Sequence, residues 1–148
     1  LTNLCLCGKA FSNVHDGIIS HGPSLQMRGF DKQLQVGFVS HLEHREMIKC
    51  GSHAKDCVDP IWVLYNESHY TVMFMKTDGR KNSEKFDLYY YDQQGGQDEE
   101  IRVTATLDNM PLPAVGKHDL TPYLNDIIRT VPAWRLAKIN WNGTDPLL

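Results

Sequence analysis

Runs of apolar residues that alternate with polar ones predict four β-strands in the middle of the chain. The first two extend from Ile61 to Tyr65 and from His69 to Met75, and the next two from Phe86 to Asp92 and from Ile101 to Leu107. β-Branched and aromatic residues favour strands, and alternation is typical of a strand with one buried face. A turn at Asp78-Gly79 separates the second run from the third. The pattern therefore predicts an antiparallel sheet.

Helical periodicity is found on both sides of this sheet. After a loop that we expect to extend to Gln33, apolar positions recur every three to four residues from Leu34 towards Gly51, where a helix would end. A second helix is predicted to begin at Thr121-Pro122, a capping hydroxyl followed by proline at the first helical position, and to end before Pro132. Helices that flank an antiparallel sheet predict one α+β unit.

Composition and charge argue against two classes of function, nucleic-acid binding and membrane insertion. The chain has 148 residues, 41% of them hydrophobic, which is enough to form a core. Its formal net charge is −3, and because Lys and Arg are not in excess, we expect no nucleic-acid partner. Its apolar runs are far shorter than the roughly 20 residues that a transmembrane helix needs, so we expect no membrane span either.

The four cysteines, Cys5, Cys7, Cys50 and Cys57, are predicted to be reduced thiols, because a domain with this apolar content does not need disulfides. No signal peptide is recognisable. We expect a cytoplasmic location, with the nucleus as a second one. Because the first residue is Leu1 and not methionine, we also expect the sequence to be part of a longer protein.

His69 and Asp92 are the candidate catalytic residues. A histidine at the start of an apolar strand, after polar residues, would lie half exposed at a sheet edge, where it could accept a proton near neutral pH. Asp92 ends the next strand and could hydrogen-bond the imidazole, which would fix its tautomer and direction. The alternatives are that His69 only caps its strand and that Asp92 is only a turn residue.

Four blocks of the chain resemble, in the same order, the MINDY family of deubiquitinases, most closely the MINDY-3 and MINDY-4 type. One carries a Pro-Ile-Trp-Val run followed by a Ser-His-aromatic motif, and the others resemble the family's Gly-Lys-Ala-x-Ser-Asn-Val, Leu-Tyr-Tyr-Tyr-Asp and Trp-Asn-Gly-Thr-Asp-Pro segments. The blocks are Gly8 to Gly17, Asp59 to Phe74, Leu88 to Asp92 and Trp141 to Pro146. Together they span nearly the whole chain.

The resemblance implies a papain-like cysteine protease fold that hydrolyses isopeptide bonds in polyubiquitin of the degradation-signal lysine linkage. His69 matches the family's catalytic histidine, and Asp92 would orient it. Ubiquitin and polyubiquitin would be the partners, with no cofactor and no metal. In the family the nucleophilic cysteine lies upstream of these blocks, so residues 1–148 would form the C-terminal, histidine-bearing part of one catalytic domain and would be inactive alone.

Two functions of other classes remain possible from the sequence. Zinc binding is one, because five ligand-type residues fall within a short stretch and zinc needs four. They are His41, His44, Cys50, His53 and Cys57. The other is a ubiquitin-binding module without catalysis, in which exposed aromatic residues such as Tyr70, Tyr89 or Tyr91 would contact the partner.

Overall fold

The computed structural model describes residues 1–77, 84–107 and 123–144. Its elements are short helices and strands, and one 3₁₀ helix precedes the last strand. In chain order they are α1 (Thr2–Cys7), β1 (Ile18–His21), β2 (Leu25–Arg28), β3 (Gly37–Ser40), α2 (His41–His44), α3 (Ser52–Lys55), β4 (Ile61–Asn66), β5 (His69–Phe74), β6 (Lys85–Tyr91), β7 (Ile101–Leu107), α4 (Tyr123–Arg129), the 3₁₀ helix (Pro132–Trp134) and β8 (Ala137–Asn140).

A six-stranded sheet in the order β3-β4-β5-β6-β7-β8 forms the centre of the fold. Every neighbouring pair from β4 to β8 is antiparallel, whereas β3 pairs with β4 in parallel. The mixed α+β class and the four predicted strands are confirmed. The sheet is not purely antiparallel, because the chain returns from β3 to β4 through α2 and α3 and so enters both strands from the same end.

The prediction of a helix from Leu34 towards Gly51 is wrong. That stretch forms strand β3 followed by α2, and a third short helix begins only after Gly51. All four residues of β3 are buried. Phe38 packs on one side of the sheet and Val39 on the other, so both faces of the strand are covered. A strand that is buried on both faces shows no alternation, so its apolar residues fit the spacing of one helix face equally well.

The loop predicted to extend to Gln33 contains the hairpin β1-β2. All of its side chains are exposed except one of intermediate burial, so the hydrophobic pattern gave no indication of these strands. Helix α4 agrees with the predicted second helix and ends before Pro132. The predicted turn at Asp78-Gly79, the helix start at Thr121-Pro122 and the final Asp145-Pro146 lie outside the described residues.

The two faces of the sheet bury different clusters. On the first, which we call the α4 face, Trp62, Leu64 and Met73 pack against α4 and Trp134. On the opposite, α1 face, Val63 and Tyr65 join a second cluster that includes residues of α1 and α3. Because side chains alternate along a strand, His69, Thr71 and Met73 of β5 all point to the α4 face. Among the described helices, none is both long and apolar enough to cross a bilayer.

Candidate functional site

His69 is the first residue of β5 and follows a tight turn from β4. Both turn residues, Glu67 and Ser68, have positive φ angles of 46° and 74°. The Glu67 carboxylate accepts a hydrogen bond of 2.8 Å from Arg45, the residue directly after α2. The turn is thus tied to the neighbouring helix, and the side chain of His69 is 30% exposed. A partly exposed imidazole at a sheet end can reach both a buried partner and a substrate.

Asp92 is the buried partner of this imidazole. The distance from His69 Nε2 to Asp92 Oδ2 is 2.7 Å, and the Asp92 side chain is only 6% exposed. Its other oxygen, Oδ1, accepts hydrogen bonds from the backbone amides of Gln94 and Gly95, at 3.0 and 3.1 Å. Asp92 is therefore a turn residue, as one of the two interpretations of the sequence expected, and it also contacts His69. The carboxylate is fixed by the backbone and oriented towards the ring.

Gln94 contacts the second ring nitrogen and was missed by the sequence analysis. Its Oε1 lies 2.7 Å from His69 Nδ1. The ladder between β5 and β6 ends at the pair of Val72 and Tyr91, and residues 93–96 form a turn whose Gln94 and Gly95 amides bind Asp92. This turn brings the Gln94 side chain to the first residue of β5. No residue type in the sequence marks this contact, because it depends on how the turn after β6 folds.

The surroundings of His69 favour its protonated form. The hydrogen bond to Asp92 is the main cause that raises the pKa of His69, burial opposes it, and the hydrogen bond to Gln94 adds to the increase. A carboxylate oxygen faces Nε2 and an amide oxygen faces Nδ1, and the imidazolium, which donates from both nitrogens, can satisfy both acceptors at once. The site thus stabilises the protonated form of His69, which is the form of a general base after it has accepted a proton.

Two phenols lie next to this pair on the α4 face. The hydroxyl groups of Tyr90 and Tyr123 are hydrogen-bonded to each other, and Thr71 lies beside both. Burial, together with the contact to Tyr123, raises the pKa of Tyr90, so the phenol remains neutral at physiological pH. The Trp141 ring packs edge-on against Tyr90, with 5.8 Å between ring centroids. The described part of the Trp141 to Pro146 block therefore supports the floor of the site.

Comparison with known proteins decides the family. Residues 1–143 match the family model described as "Deubiquitinating enzyme MINDY-3/4, conserved domain". This chain belongs to the MINDY-3/4 family. The resemblance found from the four sequence blocks is therefore confirmed.

Curated relatives agree with this assignment. Over its whole length the chain is 38% identical to the probable ubiquitin carboxyl-terminal hydrolase MINDY-4 of Xenopus tropicalis and 37% identical to that of Homo sapiens. Over 51% of its length it is 41% identical to the ubiquitin carboxyl-terminal hydrolase MINDY-3 of Mus musculus. The chain spans about a fifth of the MINDY-4 relatives and 17% of that MINDY-3 protein. No solved structure matches.

The first MINDY-like block, Gly8 to Gly17, has a structural role here. The Asp16 carboxylate accepts hydrogen bonds from the Ser52 amide and hydroxyl, both at 2.7 Å, and from the His53 amide at 3.0 Å, at the start of α3. Burial raises the pKa of Asp16, but these hydrogen bonds outweigh it and lower the pKa overall. Gly51 passes directly beside Asp16, where a Cβ atom would lie 1.9 Å from Oδ1.

None of the four cysteines of this MINDY chain lies beside His69. None of the four, all within the described residues, forms a disulfide, as predicted. Cys57 donates to the Asp59 carbonyl just before β4, whereas His69 pairs with Asn66 at its far end, and five residue steps of strand cover about 16 Å. Cys50 belongs to the cluster on the α1 face, where burial raises its pKa to about 12.

Cys5 and Cys7 belong to α1, on the other side of the sheet from His69. The Thr2 hydroxyl of this helix lies 2.9 Å from the hydroxyl of Tyr70, whose side chain points to the face opposite His69. Cys7 is hydrogen-bonded within its own segment, to the Asn3 carbonyl at 3.0 Å. None of the four thiols is therefore placed to exchange a proton with His69.

The five residues of the zinc alternative do not converge on one point. His41 and His44 lie on α2 and face α4, whereas Cys50 contacts Glu43 and Lys55 on the α1 face. Cys57 is hydrogen-bonded to carbonyl groups before and at the start of β4. The five residues that suggested a zinc site in the sequence thus do not form one in the structure.

Proposed function

We propose that this chain supplies the general base of a thiol-dependent deubiquitinase. His69 accepts the proton of a cysteine thiol, and Asp92 orients the ring and stabilises the resulting imidazolium. The observation that carries the proposal is the 2.7 Å contact between His69 Nε2 and the buried carboxylate of Asp92 at a half-exposed sheet end. The substrate is polyubiquitin of the degradation-signal lysine linkage, and the catalytic residues are arranged as in papain-like enzymes.

The two ring nitrogens take different roles in this mechanism. Because Nε2 donates to Asp92, the nitrogen that exchanges protons with thiol and substrate is Nδ1. Nδ1 takes the thiol proton, and the thiolate attacks the isopeptide carbonyl to form a thioester as the carbonyl–nitrogen bond breaks. The proton on Nδ1 passes to the departing lysine amine. Water then hydrolyses the thioester, with His69 again acting as base, and the thiol is regenerated.

Gln94 must move during this cycle, since its amide occupies Nδ1. The bond lies on the exposed side of the ring, so water can replace it at low free-energy cost. Gln94 stands where the family resemblance has the leucine of a Gly-Leu pair. We therefore assign it the role of a side chain that holds the ring until thiol and substrate displace it.

The nucleophile belongs to a segment other than residues 1–148, which form the histidine-bearing part of the catalytic domain. This part of the proposal rests on the positions of the four cysteines, three on the α1 side of the sheet and Cys57 at the far end of β4. In the family resemblance the nucleophile lies upstream, at a helix N-terminus whose amides stabilise the thiolate and the oxyanion.

Cleavage of defined ubiquitin chains tests the proposal. The full-length gene product should cleave polyubiquitin of the degradation-signal linkage, and His69→Ala should reduce the rate about 10²- to 10⁴-fold, the usual contribution of a general base. His21→Ala is the matched control, because this histidine lies on the exposed hairpin strand β1, and its rate should equal that of the native protein.

Retained cleavage in His69→Ala would contradict the proposal. Binding of polyubiquitin without cleavage by the native protein would favour the second candidate, a ubiquitin-binding module. The observation in favour of that candidate is the exposed pair Tyr70 and Val72 on β5, which are 48% and 36% exposed on the side opposite His69.

A further inference from the structure

We propose that His41, His44 and Asp126 form a binding site for a divalent transition-metal ion of the zinc class. The two histidines are one helical turn apart on α2, and Asp126 faces them from α4. His41 Nε2 and His44 Nε2 each lie 3.7 Å from Asp126 Oδ2. One ligand atom from each residue lies within 4.8 Å of the others.

The arrangement of the rings suits a shared cation. The two imidazoles are stacked, with 5.6 Å between centroids and 9° between planes, and both Nε2 atoms face the same carboxylate oxygen. Imidazole binds zinc through a ring nitrogen, so each ring offers one ligand atom on the side of the carboxylate. Zinc–ligand bonds of about 2.0 to 2.2 Å in tetrahedral geometry place ligands about 3.3 to 3.6 Å apart. The two observed 3.7 Å contacts need to shorten only slightly, whereas the three ligand atoms together, which lie within 4.8 Å of one another, must draw closer to hold the ion.

The second oxygen of Asp126 is oriented by a neighbouring cation. Arg129 Nη1 lies 3.9 Å from Asp126 Oδ1, while Arg129 Nε donates to the Ala137 carbonyl at 2.9 Å. The guanidinium group is held on β8, on the Oδ1 side of the carboxylate. Oδ2 is the oxygen that faces the two histidines.

Ligand type and exposure indicate which ion fits. Imidazole nitrogen favours zinc, copper, nickel or cobalt over calcium and magnesium, which prefer oxygen ligands. The side chains of His41 and Asp126 are 18% and 23% exposed, whereas that of His44 is 48% exposed. Solvent can therefore reach the fourth position of a tetrahedral ion from the His44 side.

Such an ion would connect α2 to α4 at the end of the sheet that carries His69. Ser40 precedes α2 and pairs with Tyr65, one residue before the Asn66 that pairs with His69. The metal ligands are separate from the His69–Asp92 pair, so the proposal does not depend on the proposed catalytic function.

Metal titration of the full-length product tests the site. After purification with a chelator, the native protein should take up Zn²⁺ in competition with a chromophoric chelator, and Co²⁺ should give the visible absorption of a tetrahedral site. His44→Gln and Asp126→Asn should each weaken binding of one equivalent more than about tenfold, since a ligand contributes at least as much as the outer residues that orient it.

His53→Gln is the control, because His53 belongs to the sequence-based ligand set and is absent from this cluster. It should bind Zn²⁺ like the native protein. His44 is half exposed, so its variant should also melt at the native temperature without metal. The proposal is overturned if the native protein takes up no Zn²⁺ by competition, if both ligand variants bind as tightly as it does, or if His53→Gln loses the same equivalent.

Discussion

The imidazole of His69 and the carboxylate of Asp92 meet across the β5–β6 pair, with 2.7 Å between Nε2 and Oδ2. Asp92 is buried and bound by two backbone amides, while His69 keeps an exposed edge. A fixed, buried carboxylate thus lies against a ring that is partly exposed to solvent.

Asp92→Asn should lower the pKa of His69. The carboxylate hydrogen bond is the main cause of the raised pKa, and an amide oxygen stabilises the imidazolium less than a carboxylate does. NMR titration of histidine ring carbons, with His69→Gln to assign the signal, measures the change. An unchanged titration midpoint would show that Asp92 does not control the charge of the ring.

The same pair should make stability depend on pH. Because the pKa of His69 is raised in the folded state, its stabilisation is fully present below the unfolded value of about 6.5 and is lost as the pH rises through the folded pKa. Asp92→Asn should therefore lower the free energy of unfolding more at about pH 6 than at about pH 9, as measured by urea unfolding. In a His69→Gln background that difference should disappear.

Gln94→Leu should lower the pKa of His69 less than Asp92→Asn does. The lost partner is neutral and lies on the exposed side of the ring. Because Nδ1 is then free for the thiol, cleavage of polyubiquitin should be as fast as in the native protein or faster. NMR titration and a cleavage assay measure the two effects.

Gln93→Leu is the control for this prediction, since Gln93 is the exposed residue next to Gln94. It should leave the pKa of His69 unchanged. Equal pKa decreases in the two variants would mean that the polarity of the whole loop, and not the Nδ1 contact, acts on the ring. A large loss of cleavage in Gln94→Leu would instead make Gln94 part of the catalytic machinery.

Gly51→Ala should destabilise the fold although its φ of −75° is open to any residue. A Cβ atom there would lie 1.9 Å from Asp16 Oδ1 and 2.6 Å from the Asp16 amide nitrogen, so the segment that begins α3 must shift. We expect a loss of about 1 to 3 kcal/mol in the free energy of unfolding, the usual cost of overpacking, measured by urea unfolding.

Gly95→Ala is the matched control. Its Cβ would lie 3.3 Å from Asp92 Cγ and Oδ2, a tight contact that needs a shift of only a few tenths of an ångström, so its loss of stability should be clearly smaller than that of Gly51→Ala. Equal stability of the two variants would show that the contact between Gly51 and Asp16 is not close in solution.

Sequence reasoning succeeded where burial follows a simple period. Strands β4 to β7 were predicted because one face of each is apolar enough to mark it, and α4 because its apolar residues share one side. Strand β3 was misassigned because both of its faces are buried, and the hairpin β1-β2 was missed because neither of its faces is.

The candidate site was predictable to the same extent. His69 and Asp92 were found because they stand at the ends of neighbouring strands. Gln94 was not found, because its contact depends on how the turn after β6 folds around Asp92, which residue types do not specify. Asp126, too, joins His41 and His44 only through the packing of α4 on α2, about eighty residues along the chain.

The most direct test of the central claim is the pH dependence of thiol labelling by ubiquitin that carries a thiol-reactive electrophile at its C-terminus. In the full-length product one cysteine should react, and its rate should remain high well below the ordinary cysteine pKa of about 8.5, because His69 holds the thiol proton. In His69→Ala the rate should fall with pH as for a free cysteine. Identical pH profiles for the two proteins would contradict the role of His69 as the base.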